Sequence, residues 1–267
     1  MGRTRKLSYA LWSTVAGVGL AACGSDDKVG HLPDAPPLVD APPVAIAGVP
    51  AQVTAVSECG VATPPTVDVV VTNLGTAELV ISGADANGGF VVTTTLPLTI
   101  AAGAQATLAV RPPAAVIGTD RGGSTKTGTL TLSTNAPDLI SPTVALIANV
   151  VGANVAFTNA AGAPITLAFS GSSGACPAPQ AVFIRNTGSA PMTFGAASAS
   201  GFAFTGFSGG MIEAGGSVTQ MVRPFATGSC SYAGAITYQV TGSVCSAPLA
   251  TLQATFNITG TSSCFCS

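Results

Sequence analysis

Charge is what this chain has least of. Asp, Glu, Lys and Arg make up 7% of its residues, against roughly 25% in an ordinary soluble domain. Beyond residue 167 the charged side chains are Arg185, Glu213 and Arg223 alone. Duplex DNA or RNA is gripped through several Lys or Arg contacts to phosphate, and no basic patch exists to make them, so no nucleic-acid partner is expected. Histidine is nearly absent as well. His31 is the only one, and it lies in a Pro-rich stretch near the N-terminus, so Ser/His/Asp catalysis has no base in the folded part. Gly-rich phosphate loops and the H-E-x-x-H zinc pattern are missing. A glycosidase pair needs two acids facing one cleft; Asp68, Glu78, Asp85, Asp120 and Asp138 fall in turns or on solvent faces. The expectation is a protein that is not an enzyme, with no catalytic residue, no metal site and no cofactor.

Low charge combined with 32 Gly and 19 Pro would suit disorder if β-branched residues were scarce too. They are not. Val, Ile and Thr recur in short alternating runs separated by Gly, Pro, Asn and Ser, which is the pattern of an all-β chain with many turns.

The first 22 residues read as a signal peptide. Arg3, Arg5 and Lys6 form a positive start, and the apolar run from Leu7 to Ala22 is interrupted by Ser8, Ser13 and Thr14. It falls short of the roughly 20 residues a spanning helix needs. Leu20-Ala21-Ala22-Cys23 resembles the lipobox of bacterial lipoproteins. The resemblance implies cleavage before Cys23 and acyl chains such as palmitate on it, several on one residue giving stable anchoring. Gly24 after the cysteine implies the bacterial outer membrane, facing either the periplasm or the cell surface. Residues 23–48 then read as a disordered tether. The near-repeat Pro33-Asp34-Ala35-Pro36-Pro37 and Asp40-Ala41-Pro42-Pro43 favours extended polyproline II, at about 3.1 Å per residue, over any core.

From residue 49 the chain says the same thing twice. VDVVVTNLGTAELVISG (67–83) matches QAVFIRNTGSAPMTFGA (180–196), and IAAGAQATLAVRP (100–112) matches IEAGGSVTQMVRP (212–224). Strands at 127–132 and 143–150 have counterparts at 233–238 and 250–258. Alternation buries Val69, Val71, Leu79 and Ile81 in the first copy and Val182, Ile184, Met192 and Phe194 in the second. Gln220 breaks the pattern, since its counterpart is Leu108. It either finds a partner inside or marks a slipped register. Asn73 and Asn186 are expected to shape structural turns by bonding nearby backbone, with Gly75 and Gly188 supplying positive φ. Arg111 and Arg223, at equivalent strand ends before proline, are expected on solvated edges. With about seven short strands per copy, each reads as an Ig-like antiparallel sandwich, the first over 49–152 and the second over 153–261.

The string Asn73-x-Gly75-x-Ala77-x-Leu79-x-Ile81, followed by Ile100-x-x-Gly103, Val110-x-Pro112 and Ser133-Thr134-Asn135-Ala136-Pro137, resembles the ASH/HYDIN-type domain. Such repeats, also called choice-of-anchor D domains, are related to the major sperm protein and PapD-like Ig sandwiches. The second copy keeps the Asn-x-Gly turn and the Val-x-Pro strand end but has TGSVCSAP (241–248) in place of the Thr-Asn-x-Pro signal. The resemblance implies a structural or interaction-bearing sandwich with no catalytic residue to carry over.

Six cysteines remain after Cys23: Cys59, Cys176, Cys230, Cys245, Cys264 and Cys266. An even number in an exported chain points to disulfides. Loop positions in an Ig sandwich put Cys176 and Cys230 at one end and Cys245 at the other, so Cys176 is expected to pair with Cys230. The tail, 262–267, carries Cys264-Phe265-Cys266, which lacks the further ligands a metal site requires; one is expected to pair with Cys245 and the other with Cys59. The chain thus reads as a membrane-anchored scaffolding or adhesion module with a protein or glycan partner. The alternative is a carbohydrate-binding accessory module, for which Phe202, Phe204 and Phe207 are the candidate aromatics.

Overall fold

The computed structural model describes residues 41–139, 141–172, 177–199, 201–224, 231–247 and 249–259, with side chains described for these except 172, 231, 232, 249 and 256–259. Contacts divide the chain after Ala41, and both sandwiches belong to the second unit. The first contains β1 (Ala47–Gly48), β2 (Gln52–Glu58), β3 (Val67–Asn73), β4 (Leu79–Ala86), β5 (Val91–Val92), β6 (Leu98–Ile100), β7 (Gln105–Arg111), β8 (Thr125–Thr134) and β9 (Thr143–Val151). One sheet has the order β1-β3-β7-β5 and the other β2-β9-β8-β4-β6.

Sandwich 2 repeats this arrangement. It contains β10 (Val155–Thr158), β11 (Leu167–Ser172), β12 (Gln180–Asn186), β13 (Met192–Ser198), β14 (Phe202–Gly206), β15 (Gly210–Ile212), β16 (Ser217–Pro224), β17 (Ser231–Thr241) and β18 (Leu249–Thr259). Its sheets are β10-β12-β16-β14 and β11-β18-β17-β13-β15. The protein is all-β, with two tandem Ig-like sandwiches.

Among the described residues each sandwich has nine strands rather than about seven. The opening strand is split because it changes sheets: β1 pairs antiparallel with β3, then the chain crosses at Pro50 and β2 runs parallel to β9. The connection from β4 to β7 is likewise divided, giving β5 to one sheet and β6 to the other. Because β5 and β14 lie outside β7 and β16, Arg111 and Arg223 do not sit on edge strands; they pair with Val91 and Ala203.

Alternation places the cores as the sequence leads one to expect. Val69, Val71, Leu79 and Ile81 are buried in the first, and Val182, Ile184, Met192 and Phe194 in the second. One boundary moves. The tether does not extend to residue 48, because Ala45 and Ala47 are buried in the core of sandwich 1. Ala45 and Ala47 point inward while Ile46, between them, points out, the alternation of a half-buried strand.

Gln220 stays in register opposite Val182, as Leu108 stays opposite Val69. It finds a partner inside. Tyr238 donates its hydroxyl hydrogen bond to Gln220 Oε1 at 2.5 Å, and Gln220 Nε2 donates to the Phe207 carbonyl at 2.7 Å. Tyr238 occupies the position that Leu132 holds in sandwich 1, so two apolar positions have become a matched polar pair. Burial pushes the Tyr238 hydroxyl well above its ordinary pKa of 10.0, keeping it a donor.

The joint between the sandwiches as candidate functional site

The Asn-x-Gly turns that mark the repeat are buried staples. Asn73 Nδ2 donates to the carbonyls of Ala77 (2.7 Å) and Ile100 (3.0 Å), while its Oδ1 accepts from Gly75 N–H at 3.0 Å. Asn186 does the same with Ala190 (2.7 Å), Ile212 (3.1 Å) and Gly188 (3.0 Å). One carboxamide thus satisfies three backbone groups that a bend between strands leaves unpaired.

The glycines in these turns are not there for positive φ. That conformation occurs at Gly103 and Gly215 instead. Gly75 and Gly188 are required because another stretch of backbone passes against them. A Cβ on Gly75 would lie 2.1 Å from the Val44 carbonyl oxygen, and one on Gly188 would lie 2.2 Å from that of Gly152. In sandwich 1 the crossing chain is the entry segment 44–46, tied by Thr76 N–H to Val44 O (2.8 Å) and Leu74 N–H to Ile46 O (2.8 Å). In sandwich 2 it is the link from the first sandwich, tied by Ser189 N–H to Gly152 O (2.8 Å) and Thr187 N–H to Asn154 O (2.9 Å). The link between domains is therefore itself a docked part of sandwich 2.

Around this link the two sandwiches are fastened in several ways. Cys59, just past β2, forms a disulfide with Cys245 in the β17–β18 loop, with Cα atoms 5.1 Å apart. Both are buried, and with Ala115 and Val150 they form a small apolar cluster of their own. The β7–β8 loop of sandwich 1 reaches across as a clasp. Gly118 N–H donates to Cys245 O at 2.6 Å, and Asn154 exchanges two hydrogen bonds with the Gly122 backbone. Ala153 N–H donates to Ser243 O (2.7 Å), Cys245 N–H to Ala153 O (2.9 Å), and the Ser243 hydroxyl to the Glu58 carboxylate. The clasp is stiffened from within: Asp120 accepts from Val116 N–H at 2.6 Å and pairs with Lys126 at 2.7 Å. The hydrogen bond from Lys126 holds the Asp120 carboxyl below its usual range.

The disulfide corrects the expected pairing. Cys59 and Cys245 bond to each other, not to the tail. The loop argument put Cys245 at the end of sandwich 2 opposite Cys176, and that end is the one that meets sandwich 1 where Cys59 emerges. Cys23, His31, Cys176, Cys230, Cys264 and Cys266 lie outside the described residues. Asn154 was not anticipated; its signal is its place immediately after the first copy ends.

Chemically the joint is a fastening. A cavity of about 170 Å³ at its rim is lined by Thr119, Asp120, Arg121, Asn154 and Ser246 among others, and its one carboxylate is already paired with Lys126. Asp68, Glu78, Asp85 and Asp138 are exposed. Among the described residues no group of three or more His, Cys, Asp or Glu side chains could hold a metal ion. Phe202 is buried against Phe169, and Phe207 packs on Phe194, so these rings contribute to the core of sandwich 2. Arg185 is half-buried, donating to Thr158 Oγ1 at 2.8 Å and lying over the Phe183 ring.

No protein-family model matches the chain, and no curated protein does. Solved structures do. A protein of unknown function from Porphyromonas gingivalis W83 is 15% identical, covering 79% of this chain and 99% of its own, with a TM-score of 0.32. The periplasmic chaperone SfaE is 14% identical, covering 80% and 100%, with a TM-score of 0.30. The ASH/PapD-like domain 7 of human CEP192 is 12% identical, covering 48% and 98%, with a TM-score of 0.27. These likenesses concern the fold.

Proposed function

We propose that this chain is a bacterial lipoprotein, anchored in the outer membrane through acylated Cys23, whose two sandwiches form a non-catalytic scaffolding or adhesion module that presents its surfaces to a protein partner. The observation that carries the reading is the joint. A disulfide, a clasp loop and a link docked into sandwich 2 fix one Ig-like unit on the other, which is what a presenting scaffold needs and what a hinged enzyme cleft would not tolerate. The lipobox-like Leu20-Ala21-Ala22-Cys23 supports the anchor, and a buried disulfide suits a compartment outside the cytoplasm. The choice-of-anchor D resemblance agrees with a display role. Of the phenylalanines on which a glycan reading depended, Phe202 is buried in the core and Phe204 and Phe207 are half-buried against it, so they offer no open aromatic platform and a protein partner is favoured.

Membrane fractionation of cells expressing the wild type and Cys23→Ala tests the anchor. The wild type is expected in the outer-membrane fraction in shortened form, and Cys23→Ala unshortened and released from the membrane. A Cys23→Ala chain that stays membrane-bound overturns the anchor. Crosslinking on intact cells then tests the partner class: recovery of one protein supports the reading, and enrichment of glycans alone overturns it.

A further inference from the structure

The two sandwiches treat the same strand edge differently. In sandwich 2, β10 covers β12 over four residues, from Val155 opposite Asn186 to Thr158 opposite Phe183. The chain then makes an excursion over 159–166 that folds back on itself. Thr158 bridges Pro164, Ile165 N–H donates to Phe157 O at 3.2 Å, and Phe157 and Ile165 pack against the core. In sandwich 1, β1 covers β3 over two residues only, Ala47 opposite Asn73 and Gly48 opposite Thr72. Pro50 has no N–H to continue the ladder, and residues 49–51 lead straight to β2.

Among the described residues no strand covers the remainder of β3, residues 67–71, on that side. Beside it runs a groove of about 410 Å³ lined by Val49, Pro50, Val53, Asp68, Val70 and Leu74 among others. Val70 is 42% exposed and Leu74 65%. An open edge with an apolar flank is a template for an added strand.

We propose that the open half of β3 is a strand-docking site, occupied by an extended segment of a protein partner with apolar side chains at alternate positions and a Lys or Arg among them. The sister sandwich supplies the apolar half of this description, since the residue it places at the position facing Val71 is Phe157. Charge supplies the other half. Asp68 is the one charged residue lining the groove, and it is exposed; a cation directly opposite on an antiparallel strand forms a favourable cross-strand pair. Running antiparallel to β3, the incoming residues face Val71, Val70, Val69, Asp68 and Val67 in turn. The first, third and fifth share the core-side face of Val71, Val69 and Val67, as Phe157 does in sandwich 2, while the second and fourth share the outer face, where the fourth meets Asp68. The proposal deepens the protein-partner part of the function above and is independent of the lipid anchor.

The probes are two fluorescent, end-capped peptides, Phe-Thr-Val-Lys-Ile and Phe-Thr-Val-Glu-Ile, titrated into the full chain and followed by anisotropy. The Lys peptide is expected to bind saturably and the Glu peptide about fivefold more weakly, the difference between attractive and repulsive cross-strand charge. Asp68→Lys should invert that preference, while Val56→Lys, at an exposed valine on the other sheet, should leave it unchanged. Inversion separates the site from a folding defect, which would abolish both titrations. Absence of saturable binding, or a preference indifferent to Asp68→Lys, overturns the proposal. So does a stable dimer, seen by light scattering, that the Lys peptide dissociates, because the edge then belongs to a second copy. Fractionation of Cys23→Ala reads the anchor alone, so failure of either experiment leaves the other interpretable.

Discussion

Tyr238 and Gln220 hydrogen-bond at 2.5 Å inside sandwich 2, at positions where sandwich 1 carries Leu132 and Leu108. Each residue is acceptable in the core because the other is there. Gln220→Leu is expected to destabilise the protein by about 1–3 kcal/mol in denaturant unfolding, since it leaves the Tyr238 hydroxyl unpaired. Adding Tyr238→Phe should recover most of that loss, and a double-mutant cycle measures the coupling. An additive double mutant would show that the pair is not coupled.

The same hydroxyl makes a pH prediction. Its folded pKa is raised above the ordinary value of 10.0 by burial, so the unfolded chain loses its proton first as pH rises. Stability from this group is full below pH 10 and declines above it. Tyr238→Phe should therefore lose less stability than the wild type between pH 9 and about 11, as read by thermal unfolding in parallel buffers.

Gly188→Ala and Gly75→Ala should each cost at least about 3 kcal/mol, because the added methyl meets passing backbone that cannot withdraw without undoing the docked segment. Gly103→Ala offers the contrast. Its φ is +74° and its added Cβ meets nothing within 4 Å, so about 1 kcal/mol of backbone strain is expected there. Chemical denaturation of the three variants side by side checks the ranking.

Asn186→Ala should cost on the order of 3 kcal/mol, since it leaves two carbonyls and the Gly188 N–H without their partner in a buried turn. Asn186→Asp should also be poorly tolerated, because a carboxylate cannot donate to Ala190 and Ile212. Hydrogen exchange at Gly188 should accelerate in both variants. An unchanged rate would mean that the staple does not hold the turn.

Cys59→Ser with Cys245→Ser should lower stability by about 2–5 kcal/mol and loosen the joint while leaving each sandwich folded. Spin labels on exposed sites of the two sandwiches should report a broader distance distribution in the double variant. Because both sulfurs are buried, alkylation after brief exposure to a thiol reductant should be slow in the native protein and fast in denaturant.

What the sequence disclosed follows from the range of each signal. Alternation in VDVVVTN and QAVFIRN is a local signal, so inward and outward faces, domain count and fold class could all be read from it. Gln220 stood out for the same reason, but its partner lies on the opposite sheet, and only the joint departure of Gln220 and Tyr238 from Leu108 and Leu132 hinted at it. Gly75 and Gly188 were visible as glycines, yet the sequence does not distinguish a glycine needed for its φ from one needed for space. Cys59–Cys245 was missed because pairing was sought within each sandwich and with the tail, whereas the bond spans 186 residues between two poles that meet only when the domains dock.

The entry segment 44–46 and the link 152–154 dock on their sandwiches through matching hydrogen bonds to matching turns. Each unit therefore brings the socket that seats the chain leading into it. A row built from such units gains a seat for each new member by duplication, while the fastening of that member still needs partners such as Cys59 and Gly122 on the preceding one. It also leaves no slack between members: inserting even one residue after Val151 would displace Gly152 from the Gly188 turn and pull Asn154 away from Gly122 in the same step.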